Sequence, residues 1–236
     1  MKTIDLLKRL ENYPLFTLND VIKITGQQAN YIRILLHKIV KRGYIKRIER
    51  GKYTVHDDPL IFASYLYTPS YLSSWTGLRF HNMTTQLPNW IFVMAPVYKK
   101  PIQLDEKTRI VFVKTKYVWG YEKVRYAQFY IFVADKEKTI IDCLLKGINS
   151  SDIFEALEAE EIDFEKLIAY GEKTKNKTLI KKLGFILEKL DKDTGELLKY
   201  VDNNYVYLDG FQKTGLNKNL KWRIKYREEY DKFRGA

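Results

Sequence analysis

The first 43 residues carry three runs in which apolar side chains return every three or four positions, the spacing of one buried helix face. The first run predicts a helix from residue 3 to about residue 12, with Ile4, Leu7 and Leu10 inward and Thr3 as its cap. After the break at Tyr13-Pro14, Thr17-Leu18-Asn19-Asp20 places a hydroxyl three residues before an acid. That is a capping-box pattern, and Val21, Ile22 and Ile24 then supply the buried side of a second helix. Gly26 is the turn. A third helix is expected from about residue 27 to residue 42, with Ala29, Ile32, Leu36, Ile39 and Val40 inward and Gly43 ending it. The period then changes to two: residues 44–48 and 52–55 alternate like strands around a Glu49-Arg50-Gly51 turn. Helix, tight turn, helix and hairpin within 55 residues predict a winged helix-turn-helix.

From Asp57-Asp58-Pro59 onward the chain is richer in aromatic residues. A helix is expected over 59–66 and another over 71–81, followed by strands at 90–95, 109–114 and 126–133. Helical patterns return at 137–145, 151–158, 163–173 and 178–190. Grouped strands followed by grouped helices predict an α+β domain with an antiparallel sheet and C-terminal helices, rather than alternating βαβ units. Residues 218–227 alternate basic with aromatic or apolar side chains, as an edge strand or hairpin with a basic face would. The expected organisation is therefore a winged helix-turn-helix at 1–55 and an α+β domain at 60–236. A length of 236 residues suits a small domain joined to a larger one.

Composition narrows the function. With 45% hydrophobic residues, 30% charged and only 12 Gly and 6 Pro, the chain is a packed protein rather than a low-complexity one. A single cysteine excludes an internal disulfide framework and any Cys-rich zinc module, and it fits a reducing compartment. The N-terminus is interrupted by Glu11, Asn12 and Pro14 before a long apolar region can form, and no later run approaches the roughly 20 residues a bilayer requires. No membrane partner is expected, and the cytoplasm is the expected location.

The net charge of +12 is unevenly placed. Residues 1–55 carry 12 Lys and Arg against Asp5, Glu11, Asp20 and Glu49, and residues 211–236 carry 8 against 3 acids. The intervening 155 residues are close to neutral. A general solubility surface would not concentrate charge at the two ends, whereas an anionic partner of the N-terminal domain would select for it. On the outward side of the third helix lie Gln27, Gln28, Asn30, Tyr31 and Arg33, then Lys38 and Lys41. Amides pair with adenine edges, arginine with guanine, and lysines neutralise phosphates. Lys46, Arg47, Arg50 and Lys52 would carry the wing along the flanking backbone or into a minor groove. Basic residues on a helix face can also simply be solvated, and some winged helices dock proteins.

Other candidate chemistry has plainer explanations. The histidines His37, His56 and His81 stand singly, so no metal site and no cofactor are expected. Cys143 lies in an apolar helix and reads as a buried, inert thiol rather than the partner of His81. Asp135, Glu137 and Lys138, or Asp105, Glu106 and Lys107, could in principle belong to a metal-dependent nuclease site. Acids opening a helix account for the first set without chemistry. The seven acids within 152–165, followed by Lys173, Lys175, Lys177, Lys181 and Lys182, are expected to form ordinary surface pairs between neighbouring helices.

Several stretches together resemble one family. They are Leu36-His37-Lys38-Ile39-Val40-Lys41-Arg42-Gly43-Tyr44-Ile45 with Arg50-Gly51-Lys52-Tyr53, and Tyr71-Leu72-Ser73-Ser74-Trp75-Thr76-Gly77-Leu78-Arg79-Phe80-His81-Asn82-Met83. Two further blocks are Ala134-Asp135-Lys136-Glu137-Lys138-Thr139-Ile140-Ile141-Asp142 and Lys182-Leu183-Gly184-Phe185-Ile186-Leu187-Glu188. In order and spacing they resemble the AbiEi-type antitoxins and transcriptional regulators of abortive-infection toxin–antitoxin systems. The resemblance implies a non-catalytic repressor whose N-terminal domain binds operator repeats in double-stranded DNA. It implies that the C-terminal domain counteracts a nucleotidyltransferase toxin, directly or only functionally. Some relatives are solitary regulators. Operator repeats could be met by a dimer or by monomers in tandem.

Overall fold

The computed structural model describes residues 2–86, 88–210 and 216–233. The protein has an α+β fold that begins with a winged helix-turn-helix. Its first part comprises α1 (Thr3–Leu10), β1 (Phe16–Thr17), α2 (Leu18–Thr25), α3 (Ala29–Lys41), β2 (Lys46–Glu49) and β3 (Lys52–Thr54). The three helices close on one core of Leu6, Leu10, Phe16, Val21, Ile32, Leu36, Ile39 and Ile45. In α1 the inward residues are Leu6 and Leu10 with Leu7 beside them, while Ile4 faces outward. Thr3 is already within the helix, and its N-cap Lys2 makes no side-chain capping bond. The capping box of α2 is present, with Asp20 accepting from the Thr17 backbone N–H at 2.8 Å and its own N–H directed to the Thr17 hydroxyl. Gly26 ends α2 in the left-handed conformation, φ 68°, which a side chain would strain. Gln27 and Gln28 therefore precede α3 rather than opening it, and Gln28 is its N-cap.

The wing differs from the expectation in one element. Phe16 and Thr17 pair antiparallel with β3, giving a three-stranded sheet in the order β1-β3-β2. A two-residue strand is too short to leave an alternating pattern.

The chain continues through α4 (Pro59–Phe62), β4 (Tyr71–Leu72), α5 (Trp75–Phe80), β5 (Trp90–Ala95), β6 (Ile102–Gln103), β7 (Arg109–Lys114), β8 (Tyr121–Tyr126) and β9 (Phe129–Ala134). These strands form a six-stranded sheet in the order β6-β7-β5-β4-β9-β8. Antiparallel pairing holds at β4–β5 and β6–β7, while β5–β7 and β4–β9 run parallel. Tyr71 and Leu72 are strand rather than the start of the helix expected over 71–81. Their side chains are buried within the sheet, and tertiary pairing overrides local pattern there. The strand expected over 126–133 is a hairpin that turns at Ala127, φ 52°.

Then follow α6 (Lys136–Lys146), α7 (Ser150–Ala159), α8 (Phe164–Thr174), α9 (Lys177–Lys189), β10 (Val206–Tyr207), β11 (Asn217–Asn219) and β12 (Ile224–Tyr226). The last three form a small sheet in the order β10-β12-β11. By compactness the chain divides differently from the linear boundary expected at 55–60. One unit takes the described residues of Met1–Leu72 and Pro88–Val133, and the other those of Ser73–Leu87 and Ala134–Ala236.

In the second unit Asp135 caps α6, accepting from the Lys138 N–H at 2.7 Å. The ammonium of buried Lys138 is paired with buried Asp142, which also accepts from the Ser73 hydroxyl at 2.8 Å. Among the described residues, some charges of the acidic stretch 152–165 and of the lysines at 173–182 find partners outside those two stretches. Lys177 and buried Lys181 both meet Asp202, and Glu160 meets Lys136 at 2.9 Å. Lys181 holds the Asp202 carboxyl down at about 2.

Trp222, between β11 and β12, is fully buried, and its indole donates to Glu188. Its ring lies where a side chain at Gly184 would sit, since a Cβ there would come within 2.2 Å of it. Gly184→Ala should therefore destabilise the protein by about 1–3 kcal/mol despite alanine's higher helix propensity. Urea unfolding followed by tryptophan fluorescence measures this, and an unchanged midpoint would contradict the packing.

Candidate nucleic-acid interface

Because Ile32, Leu36 and Ile39 commit one side of α3 to the core, the opposite side must face solvent. That side carries Asn30, Ile34, His37 and Lys41 along its centre, with Tyr31 and Lys38 on one flank and Arg33 on the other. All seven are exposed. Gln27 and Gln28 are exposed at the turn leading into the helix. The fold thus gathers the expected readers on one surface. Arg33 donates to the Asn30 side-chain carbonyl at 2.9 Å, which fixes both groups before any partner arrives. No acid lies in the first turn of α3, and its N-cap makes no side-chain bond.

Two residues of this face escaped the sequence reading. Ile34 is 58% exposed at its centre, and Tyr44 is 54% exposed just before the wing. An apolar side chain at helical spacing reads as core, so Ile34 gave no signal. On a recognition helix an outward apolar group can meet a thymine methyl.

The wing residues divide into two sets. Arg47 and Arg50 are exposed, and among the described residues neither makes an ion pair. Lys46 is exposed yet pairs with Asp57 at 2.6 Å, which lowers the Asp57 carboxyl below its ordinary range. Lys52 is turned inward. It pairs with Glu49 at 2.9 Å and donates to the Leu66 carbonyl, so its charge is already met. Its spacing in a basic hairpin suggested a phosphate contact, but the bulge between Arg47 and Glu49 shifts the register and sets Glu49 opposite Lys52.

Glu49 also accepts from Lys99 at 3.0 Å, and Lys99 reaches the same Leu66 carbonyl at 3.3 Å. His56 adds a contact at 3.1 Å between Nε2 and the Tyr13 carbonyl and sets its ring edge-on against Phe129. The wing is fastened by these contacts rather than left as a free flap.

Several of the residues considered for catalysis are engaged structurally. Asp105 accepts from the backbone N–H groups of Lys107 and Thr108 at 2.9 and 2.8 Å, closing a turn. Glu137 accepts from the Asp163 N–H at 3.1 Å and pairs with Lys166 at 2.7 Å. Cys143 is buried, which pushes its thiol well above its ordinary value, and His81 Nε2 lies 2.6 Å from the Ala134 carbonyl. Among the described residues no group of three His, Cys, Asp or Glu could hold a metal ion, and no helix is long and apolar enough to cross a membrane.

No family model and no curated protein matches the chain. In fold it is similar to the crystal structure of the RV2827C protein from Mycobacterium tuberculosis. The TM-score is 0.61 over 94% of this chain and 89% of that one, at 9% identity. At that identity the likeness concerns the fold alone.

The wing's attachment has a pH dependence. Burial alone would raise the Glu49 carboxyl, but the bonds from Lys52 and Lys99 prevail and hold it below its ordinary 4.5. A carboxyl depressed in the folded state stabilises the fold fully above its unfolded value and loses that contribution as pH falls through the folded one. The melting temperature of the wild type should therefore exceed that of Glu49→Gln at pH 7. The gap should close as the solution is acidified below 4.5. A gap that persists unchanged at pH 3 would show that the ion pairs do not hold the wing.

Proposed function

We propose that this protein is a sequence-specific double-stranded DNA-binding transcriptional repressor. In this reading it is the autoregulating antitoxin of an AbiE-like phage-defence system, acts in the cytoplasm and carries out no catalysis. One observation carries the reading. The outward face of α3 and the wing present Arg33, Lys38, Lys41, Arg47 and Arg50, and among the described residues none of these is ion-paired to an acid. A cationic face of this shape, with amides and Tyr31 at the helix start, suits a major groove flanked by phosphates. Asn30 and Arg33, with Gln27 and Gln28 before them, would read base edges. Lys38, Lys41, Arg47 and Arg50 would contact phosphates, with Lys46 joining them once Asp57 is displaced. The family resemblance of the sequence supplies the antitoxin role and a nucleotidyltransferase toxin as functional partner.

The exposure of Tyr31, Ile34 and Tyr44 favours a second reading, a winged helix that docks a protein.

Fluorescence anisotropy against the protein's own upstream DNA and a scrambled duplex, at several salt concentrations, separates the two. The repressor reading expects at least about a thousandfold preference for the upstream DNA. Arg33→Ala should cost about 1–3 kcal/mol and relax specificity at one base pair, whereas Lys41→Ala should weaken all duplexes alike and lower the salt slope by about 1. Equal, strongly salt-dependent binding to both duplexes would reduce the face to a nonspecific basic surface. No binding at low salt would leave the docking reading. Co-expression with an adjacent nucleotidyltransferase gene tests the antitoxin role separately: failure to restore growth would leave a solitary regulator.

A further inference from the structure

The small C-terminal sheet carries a face that the repressor reading does not use. Its register places Tyr207 of β10 opposite Lys225 of β12, and Lys225 opposite Lys218 of β11, so the three form one row across the sheet. The neighbouring row pairs Val206 with Ile224 and Ile224 with Asn219, and Ile224 is buried there. Residues alternate between faces along a strand, so the Tyr207-Lys225-Lys218 row points away from that core.

Tyr205 and Arg223 extend this outer face. The Lys225 ammonium lies 5.2 Å from the Tyr207 ring and 6.0 Å from the Tyr205 ring, and the Arg223 guanidinium lies 5.6 Å from the Tyr205 ring. Tyr207 is 36% exposed, and Lys218 is exposed beside it. Among the described residues none of Lys218, Arg223 and Lys225 pairs with an acid, because the nearby carboxylates are spent elsewhere. Asp209 accepts from Ser150 and Tyr230, Asp231 meets Lys189, and Glu188 meets Lys221 and Trp222.

We propose that this face binds single-stranded nucleic acid, with Tyr207 and Tyr205 offering rings to unstacked bases and Lys218, Arg223 and Lys225 taking the adjoining phosphates. Aromatic rings interleaved with unpaired cations on a sheet are the two components that sequence-tolerant single-strand binding requires. A duplex, whose bases are already stacked, would leave the tyrosines without a role. The row is about 10 Å wide from strand spacing alone and offers no helix to enter a groove.

The test uses the full-length protein and fluorescein-labelled oligouridine and oligo-dT of about 12 nucleotides, within the range such platforms cover. Saturable binding is expected, weakened about tenfold by Tyr207→Ala and restored by Tyr207→Phe. Lys218→Glu, at an exposed position outside the packing, should weaken binding without changing the melting temperature. Arg33→Ala and Lys41→Ala should leave it intact. Tighter binding of oligouridine than of oligo-dT would assign RNA through its 2′-hydroxyls, and equal binding would assign base and phosphate recognition common to both. The proposal falls if neither oligonucleotide saturates. It also falls if Tyr207→Ala and Lys218→Glu both bind like the wild type, or if excess upstream duplex or Lys41→Ala abolishes the signal, which would place the oligonucleotide on the winged helix.

Discussion

One half-buried carboxylate stands at the centre of the wing's attachment. Glu49 receives the ammonium groups of Lys52 and Lys99, and the Leu66 carbonyl accepts from both lysines. Three charges and one carbonyl thereby tie β2 and β3 to a segment well beyond them in sequence. An exposed pair of this kind would contribute little, but here the groups share one half-buried site and both ammonium groups also donate to the Leu66 carbonyl. The cationic surface depends on this tie. It consumes Lys52, and what remains for an anionic partner is α3 together with Arg47 and Arg50 at the tip of a positioned hairpin.

The second unit uses buried charge differently. Lys138 and Asp142 lie one helical turn apart in α6, both fully buried, and Ser73 satisfies the second carboxylate oxygen. Lys181 of α9 is likewise buried against Asp202 and the Asn204 carbonyl. Pairs of this kind add little net stability compared with well-packed apolar residues, yet removing one partner costs several kcal/mol. They act as register marks. Rotating α6 would part Asp142 from the Ser73 hydroxyl, and sliding α9 would part buried Lys181 from Asp202.

The helices could be read from the sequence because their apolar stripes are continuous and their ends carry caps. Thr17 and Asp20, Gly26, Asp135 and Asp163 each mark a boundary that the structure keeps. The basic face of α3 followed directly from the position of its buried stripe. What could not be read depends on partners distant in the chain. β1 and β4 contain two residues each, and their strand character comes entirely from β3, β5 and β9. The inward turn of Lys52 depends on a bulge and on Leu66, neither of which leaves a periodic trace. The Tyr207-Lys225-Lys218 row arises from a parallel pairing between segments almost 20 residues apart, so the alternation around residue 225 disclosed a basic strand without its aromatic neighbours.

The division into compact units carries a consequence for inheritance. The chain enters the second unit at Ser73, returns to the first at Pro88 and leaves again at Ala134. No single cut in the gene separates the two. A recombination at the end of the winged helix would part Glu49 from Lys99, and one after Leu72 would part β4 from the β5 and β9 strands that complete it. A chain threaded in this way resists being assembled from interchangeable cassettes. Its winged helix can diversify by substitution on the exposed face of α3, but exchange of that module alone would break the contacts that fasten the wing to the rest of its unit.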